Sequence, residues 1–420
     1  MITGLGTVGA YGCGGDSLRR ALAAPDLAAL LSDIDRSAGY HRPGGARRAF
    51  LTRGVGLAEW LAPKEARRMS PPSKLAVAAA RMALACAGFA DRRSDREETS
   101  VAISTAFGPS SYSEALLQQI LFEGPEATSP FLFTESVANA PAAQIAILCR
   151  ARGPSMTISQ REAGALQAIG QGAADVAAGR APRALAGAVD EMTPLLHALL
   201  DRFGALARPG IQDEAARPFD RRRHGFVTAE GATVLLLETA ASAAERGAPA
   251  LARILAWGSA FDPTAPQAGW GTGHERLARS LRRGLERAGV DLGEIDLIVS
   301  GASGSRGGDR LEALMLRDVF GDDSLPPIQA PKRWLGEYGG GFLGAAVLAA
   351  AGHRMPPPAA SFEPDPELGI VPDPPLSGPP STVLVTSLAA GGAASWLLLG
   401  APEAPEAPEA LEALETWGAP

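Results

Sequence analysis

The chain has little with which to do thiol, metal or redox chemistry. Its 420 residues include three cysteines and five histidines, and their scatter matches neither a disulfide framework nor a zinc ligand set. Cys13, Cys86 and Cys149 lie far apart, which points to reduced thiols and a cytoplasmic location; neither metal nor cofactor is expected. Lysine is almost absent, with only Lys64, Lys74 and Lys332 beside many arginines. A net positive charge is missing too: 39 basic against 46 acidic residues gives −7. Without the field that draws proteins to phosphate backbones, nucleic acid is not expected as a partner. Met1-Ile2-Thr3-Gly4 offers neither the basic nor the apolar region of an export signal. The uncharged stretch from Pro374 to Pro402 is broken by Pro379-Pro380 and Gly391-Gly392. It reads as strand, turn and strand, and no membrane span is expected.

What is present is an apolar share of 46%, ample for a core. Apolar runs at 101–104, 156–159, 184–187, 233–237, 295–299 and 382–385 read as strands. Between them, 75–87, 163–178 and 274–288 have helical period. Strands of this kind alternating with helices predict an α/β protein with parallel sheets buried on both faces. The alternation runs to about residue 240 and resumes near 250, so two halves are expected, 1–240 and 250–400, joined through Ala240 to Pro249. Met355 to Pro380, rich in proline, reads as an irregular surface excursion. Residues 401–420, with Ala-Pro-Glu repeated from Ala401 to Glu409, read as an extended tail.

Three segments invite a chemical reading. Gly4-Leu5-Gly6-Thr7-Val8-Gly9 is formally G-x-G-x-x-G, but too little chain precedes it for a dinucleotide-binding strand, and Tyr11 to Gly15 follows where a helix should open. Glycines in a strand-end turn, with a helix starting after an N-capping Asp16, fit better. Gly301 to Gly308 follows a strand end and could cradle an anion, although it lacks the Gly-Lys-Ser/Thr of a phosphate loop; a flexible turn is the plainer reading. Met156 to Ser159 leads through Gln160-Arg161-Glu162 into an Ala-rich helix. Glu162 stands at this elbow, where a carboxylate is a poor nucleophile but a favourable charge at a helix N-terminus.

Gly153-Pro154-Ser155-Met156-Thr157-Ile158-Ser159 with Gln167-Ala168-Ile169-Gly170 resembles the active-site elbow of the β-ketoacyl synthases, in the thiolase superfamily. Ile2 to Gly6 resembles the family's first strand, Pro63 to Met69 its basic helix-entry segment, and Pro218-Phe219-Asp220-Arg221 with Gly225-Phe226-Val227 and Glu230-Gly231-Ala232 a family signature. The resemblance, over residues 1 to about 400, implies two similar βαβαβαββ halves in a five-layered α/β/α/β/α arrangement. It also implies a cysteine nucleophile and two histidines, and these are missing. The cysteine position holds Glu162, the first histidine position Gly301 and the second Glu337, so no catalytic triad is intact. Lys332 and Glu312 occupy the family's supporting positions, where they are expected to pair; Glu162 is expected to find a cation such as Lys332 or Arg161.

The segment Glu162-Ala163-Gly164-Ala165-Leu166 is similar to the Gln-Ala-Gly-Gly-Leu of chain length factors, the inactive halves of ketosynthase heterodimers in polyketide and polyene synthesis. The resemblance implies pairing with a Cys-containing ketosynthase through the central sheet. It implies tunnel and dimer-interface residues at Phe131, Phe133 and Val137; for the two aromatics core packing is the alternative. It further implies docking of acyl carrier protein at Lys64, Arg67 and Arg68, for which a solvated helix face is the alternative. Three other readings remain: a malonyl-carrier-protein decarboxylase, a homodimeric acyl-binding scaffold, and a hydrolase using Glu162 and Glu337.

Overall fold

A computed structural model describes residues 1–89, 98–210, 213–322, 324–338, 340–353 and 362–402. The first half builds a sheet from β1 (Ile2–Gly9), β2 (Thr99–Thr105), β3 (Ser155–Ser159), β4 (Arg183–Asp190) and β5 (Gly231–Glu238). The second half builds another from β6 (Arg253–Phe261), β7 (Leu297–Ser300), β8 (Ile328–Gln329), β9 (Thr382–Leu388) and β10 (Ala393–Gly400). The strand orders, β1-β5-β4-β2-β3 and β6-β10-β9-β7-β8, are the same permutation of each half, with a two-residue strand at Gly12–Cys13 added outside β1. The bridge between halves holds a short helix, Ala240–Glu245, and Ile2 exchanges backbone bonds with Leu251 and Ala252.

The sheets are mixed, which corrects the expectation of parallel ones. In the first, β1–β5 and β5–β4 are antiparallel while β4–β2 and β2–β3 are parallel. The second repeats the pattern, β6–β10 and β10–β9 antiparallel, β9–β7 and β7–β8 parallel. A strand buried on both faces is apolar throughout whichever way its neighbours run, so composition does not reveal direction. The uncharged stretch near the C-terminus is β9, a turn through Gly391 and Gly392 at positive φ, and β10. Among the described residues no single helix is long and apolar enough to cross a membrane.

Helices complete five layers. On the outer face of the first sheet lie α2 (Pro71–Cys86) and α5 (Ala140–Leu148), with Leu84, Val101, Ile145 and Leu236 in their core. Between the sheets lie α1 (Gly14–Ala23), α6 (Gly164–Ala177) and α11 (Gly341–Ala350), where Leu166, Ile169, Phe342, Val385 and Leu397 pack together. On the outer face of the second sheet lie α8 (His274–Arg287) and α9 (Arg306–Phe320), over Leu281, Leu316, Ile298 and Trp396.

Gly4 and Gly6 are inside β1, not in a turn at its end. A Cβ on Gly4 would lie 2.1 Å from the Ala83 carbonyl oxygen, and one on Gly6 would lie 1.8 Å from that of Ala79. The glycines let α2 lie directly on the strand. The helix that follows starts earlier than expected: α1 opens at Gly14 with Cys13 as N-cap, and Asp16 sits in its first turn, paired with Arg19. The proline-rich segment is also less solvated than expected. Within 362–380 Leu368, Ile370 and Asp373 are buried, and Asp373 accepts a bond from the Ala330 amide. Residues 354–361 and most of the tail, 403–420, lie outside the described residues.

Gly6→Val should abolish folding or lower unfolding free energy by more than about 3 kcal/mol. Gly56→Ala, whose Cβ would meet nothing within 4 Å, should change it by less than about 0.5 kcal/mol. Urea unfolding of the two variants checks this.

Candidate functional site

Glu162 stands between β3 and α6, and Gly164 makes so short a connection feasible. A Cβ on Gly164 would come within 2.0 Å of Ser104 Oγ on β2, so a larger residue would push the elbow off the sheet. Ser387 Oγ, on β9, donates to the Glu162 carbonyl at 2.7 Å and ties the elbow to the second half.

Glu337 reaches the same place by a different turn. The helix α10 (Lys332–Leu335) ends in Gly336 at φ 74°, a left-handed cap that reverses the chain. The reversal sets the Glu337 carboxylate on the Lys332 ammonium, at 2.7 and 2.9 Å. Lys332 has no solvent exposure, and its Nζ also lies 4.8 Å from the centre of the Phe342 ring. Backbone bonds from Glu337 N to Val227 O and from Ala229 N to Glu337 O fix the segment.

Gly301 follows β7 beside Glu162. A Cβ there would lie 2.8 Å from both Ser387 Oγ and the Thr386 carbonyl oxygen, so the space a side chain would need is taken. The loop from Gly301 to Ser305 is held firmly, which corrects its reading as flexible. Asp309, buried in the first turn of α9, accepts from the amides of Ser303, Gly304 and Phe219.

The expected ion pairs are differently partnered. Lys332 binds Glu337, not Glu312; Glu312 accepts hydroxyl bonds from Ser300 at 2.8 Å and Thr386 at 2.6 Å. Glu162 pairs with neither Lys332 nor Arg161, whose guanidinium donates to the Gln267 carbonyl. Its Oε2 is buried without a hydrogen-bond partner.

Burial raises the pKa of every carboxyl here. Glu162 is pushed up to about 7, by burial first and by the nearby Glu337 charge second. Glu312 also rises to about 7, and Asp309 to about 6, chiefly through burial. Glu337 is raised by burial against the opposing pull of Lys332.

Glu162 and Glu337 line a cavity of about 490 Å³. Its wall is mostly apolar, with Phe107, Met192, Leu200, Phe203, Phe226 and Trp270, while Arg161 and Arg306 also face it. Gly301 and Glu312 border a far smaller polar recess on the other side of Glu162. Sequence reasoning missed this cavity wall, whose residues come from widely separated segments without a common motif. Among the described residues no cluster of three His, Cys, Asp or Glu side chains could hold a metal.

The remaining candidates lie elsewhere. β3, expected to be buried, is the open edge of the first sheet, and Met156 on it is 47% exposed. The helix α5 packs against this strand, and α4 (Pro130–Ser136) packs against α3 (Ser110–Phe122) and α5. Buried Glu135 pins α4 by accepting from the Ser70 amide, Ser73 Oγ and Gln144 Nε2. Phe131, Phe133 and Val137 are left on the surface, and neither aromatic packs in a core. Phe133 is 63% exposed, Ile147 67% and Phe122 84%. Lys64, Arg67 and Arg68 are exposed around the short helix Pro63–Ala66.

The model for the β-ketoacyl synthase N-terminal domain matches residues 56–243, and that for the C-terminal domain residues 251–363. Over 366 residues the chain is 30% identical to the granaticin polyketide putative beta-ketoacyl synthase 1 of Streptomyces violaceoruber, spanning 83% of this chain and 86% of that one. Over 301 residues it is 32% identical to the tetracenomycin polyketide synthase ketoacyl synthase beta subunit of Streptomyces glaucescens, spanning 70% and 72%. In three dimensions it superposes on the ishigamide ketosynthase/chain length factor with a TM-score of 0.84 at 29% identity, covering 96% of this chain and 98% of that one.

Two substitutions test the electrostatics. A carboxyl whose pKa rises on folding binds its proton more tightly in the native state, so its contribution to stability falls as pH rises from about 4.5 to about 7. Glu162→Gln should therefore stabilise the protein by about 2 kcal/mol more at pH 8 than at pH 5 in urea unfolding; an equal effect at both pH values would contradict it. Lys332→Met should cost about 3–5 kcal/mol by stranding the Glu337 charge, and adding Glu337→Gln should recover most of that loss.

Proposed function

Since the chain belongs to the β-ketoacyl synthase family, we propose that it is a chain length factor, the non-condensing partner of a cysteine-bearing ketosynthase that builds acyl chains on carrier protein. The reading rests on the trio Glu162, Gly301 and Glu337, which the family motifs align with the nucleophile and the two imidazoles. Condensation needs a thiolate to hold the acyl chain, and donors for the charge that develops as malonyl thioester loses carbon dioxide. Here a partly protonated carboxyl, a bare backbone and an ion-paired carboxylate stand instead.

The open edge of β3 supports pairing. Its outer side is unpaired, Met156 on it is exposed, and Ile147 is exposed on the helix α5 that packs against it; an unpaired edge with apolar flanks is a surface that proteins cover. In this reading the ketosynthase adds its own sheet there, and Phe131, Phe133 and Val137 close the far end of its acyl tunnel. The exposed Lys64, Arg67 and Arg68 receive the acidic carrier protein. Three unbridged cysteines agree with a cytoplasmic setting.

A priming decarboxylase is less well supported. Stabilising the enolate requires a donor near the thioester oxygen, Gly301 has no side chain, and two carboxylates oppose the incoming malonate.

The tagged chain, purified from its own host and weighed intact by native mass spectrometry, should appear in a one-to-one complex with a ketosynthase that keeps its cysteine. A homodimer alone would overturn the reading and make decarboxylation of malonyl-carrier protein the next assay. Met156→Asp together with Ile147→Asp should lower the yield of that complex at least tenfold while circular dichroism of the chain stays unchanged.

A further inference from the structure

The helix α8 carries a stripe of positive charge on its outer face. Its inner face, with Leu277, Ala278, Leu281 and Leu285, is buried on the second sheet. Arg276, Arg279, Arg283 and Arg287 recur at intervals of three and four residues, which sets them on one side of the helix. All four are exposed, in a chain whose net charge is −7.

The acids around the stripe are mostly engaged elsewhere. Glu275 and Glu286, four before and seven after Arg279, line one edge of it, and Glu275 reaches Arg279 at 3.7 Å. Asp318 on α9 pairs with His274, and Asp322 after that helix pairs with Arg317. Asp262, whose carboxyl feels the Arg276 charge, is buried on the Thr264 and Gly273 amides. Beyond the helix, Asp291 and Glu294 cap each other's backbone. Among the described residues, the Arg276 and Arg283 side chains have no hydrogen-bond or ion-pair partner.

The chain itself contains a segment of the opposite charge. Residues 403–420, outside the described ones, include Glu403, Glu406, Glu409, Glu412 and Glu415 and no basic residue. An Ala-Pro-Glu repeat favours the extended polyproline helix, with three residues per turn and a rise of ~3.1 Å. Glutamates at every third position of such a helix share one side, about 9 Å apart. Along the axis of α8, Arg276 and Arg283 are about 10.5 Å apart, and Arg279 and Arg287 about 12 Å.

The segment also begins close to the helix. Gly400, at the end of β10, pairs with Arg253 on β6. The helix α8 lies on β6, with its Gly284 against the Trp396 ring of β10. At ~3.1 Å per residue, residues 403–420 reach about 56 Å, well beyond the roughly 21 Å of α8. Single exposed ion pairs are weak, but a tether holds the partners at an effective concentration of about millimolar, so several weak pairs suffice.

We propose that residues 403–420 lie back along α8 with their glutamates on the arginine stripe, so that the chain covers its own basic face. This contact is independent of pairing with a ketosynthase and of the central cavity.

A protease that cleaves after glutamate reads whether the segment is covered. At low salt, cleavage after Glu412 in the full-length chain should be at least fivefold slower than in a synthetic peptide of residues 403–420. Arg279→Gln with Arg283→Gln should bring the rate within twofold of the peptide's, with circular dichroism unchanged. So should about 0.5 M NaCl, which shortens the screening length to roughly 4 Å, measured against the peptide in the same salt. Glu403→Gln with Glu406→Gln, which leaves every described residue unaltered, should speed cleavage at least twofold. Equal rates in the natural chain and the peptide would overturn the proposal and leave the stripe to an acidic partner from outside. Protection that persists in either double variant would overturn it as well. So would protection that fades on dilution, which would place the segment on a second copy of the chain.

Discussion

The Lys332 ammonium is the one lysine charge inside the molecule, and the centre of the fold is arranged around it. It lies where helix α10 meets the central layer, with no exposure to water, bonded twice to Glu337 and resting on the ring of Phe342. Three other carboxyls, Glu162, Asp309 and Glu312, are raised chiefly by burial, and a neighbouring carboxyl adds to this for Glu162 and Glu312. A buried cation with one well-made partner is tolerable, whereas the partner alone is not. The remaining acids are accommodated by hydroxyls and amides or by taking up a proton. Burial, opposed by the Lys332 charge at Glu162, Glu312 and Glu337, therefore governs how readily these acids hold their protons.

Around this centre the layers approach closely at chosen points. Gly4 and Gly6 admit α2 onto β1 in the first half. In the second half Gly258 on β6 and Gly284 on α8 leave room for the Trp396 ring, which would meet a Cβ on either at 2.3 and 2.0 Å. Both halves thus join an outer helix to the sheet through missing side chains, although the means differ: backbone against backbone in one, a large ring in the other. The common strand order then carries two loop ends, after β3 and after β7, to the same central seam.

Much of this arrangement is legible in the residues. Strand positions and the long helices follow from apolar runs, and the convergence of Glu162, Gly301 and Glu337 is what the family resemblance implies. Strand direction does not, because a doubly buried strand is apolar in either sense. Nor does the edge position of β3, since Met-Thr-Ile reads like a core strand and only its missing neighbour exposes it. The partner of Lys332 depends on the positive φ of Gly336, a property of one backbone turn. The open valence of Glu162 depends on Arg161 turning to Gln267, about which local spacing says nothing.

The packing around Gly301 bears on how freely such a seam can vary. The space a side chain would need is occupied by the backbone carbonyl of Thr386 on β9 and by Ser387, whose hydroxyl also supports the Glu162 carbonyl. A larger residue at 301 would press on a strand and loosen the elbow in one stroke. One glycine thus couples the two halves: a change there is felt in the second sheet and at the first half's elbow together, so this part of the seam can drift only if both sides move in step.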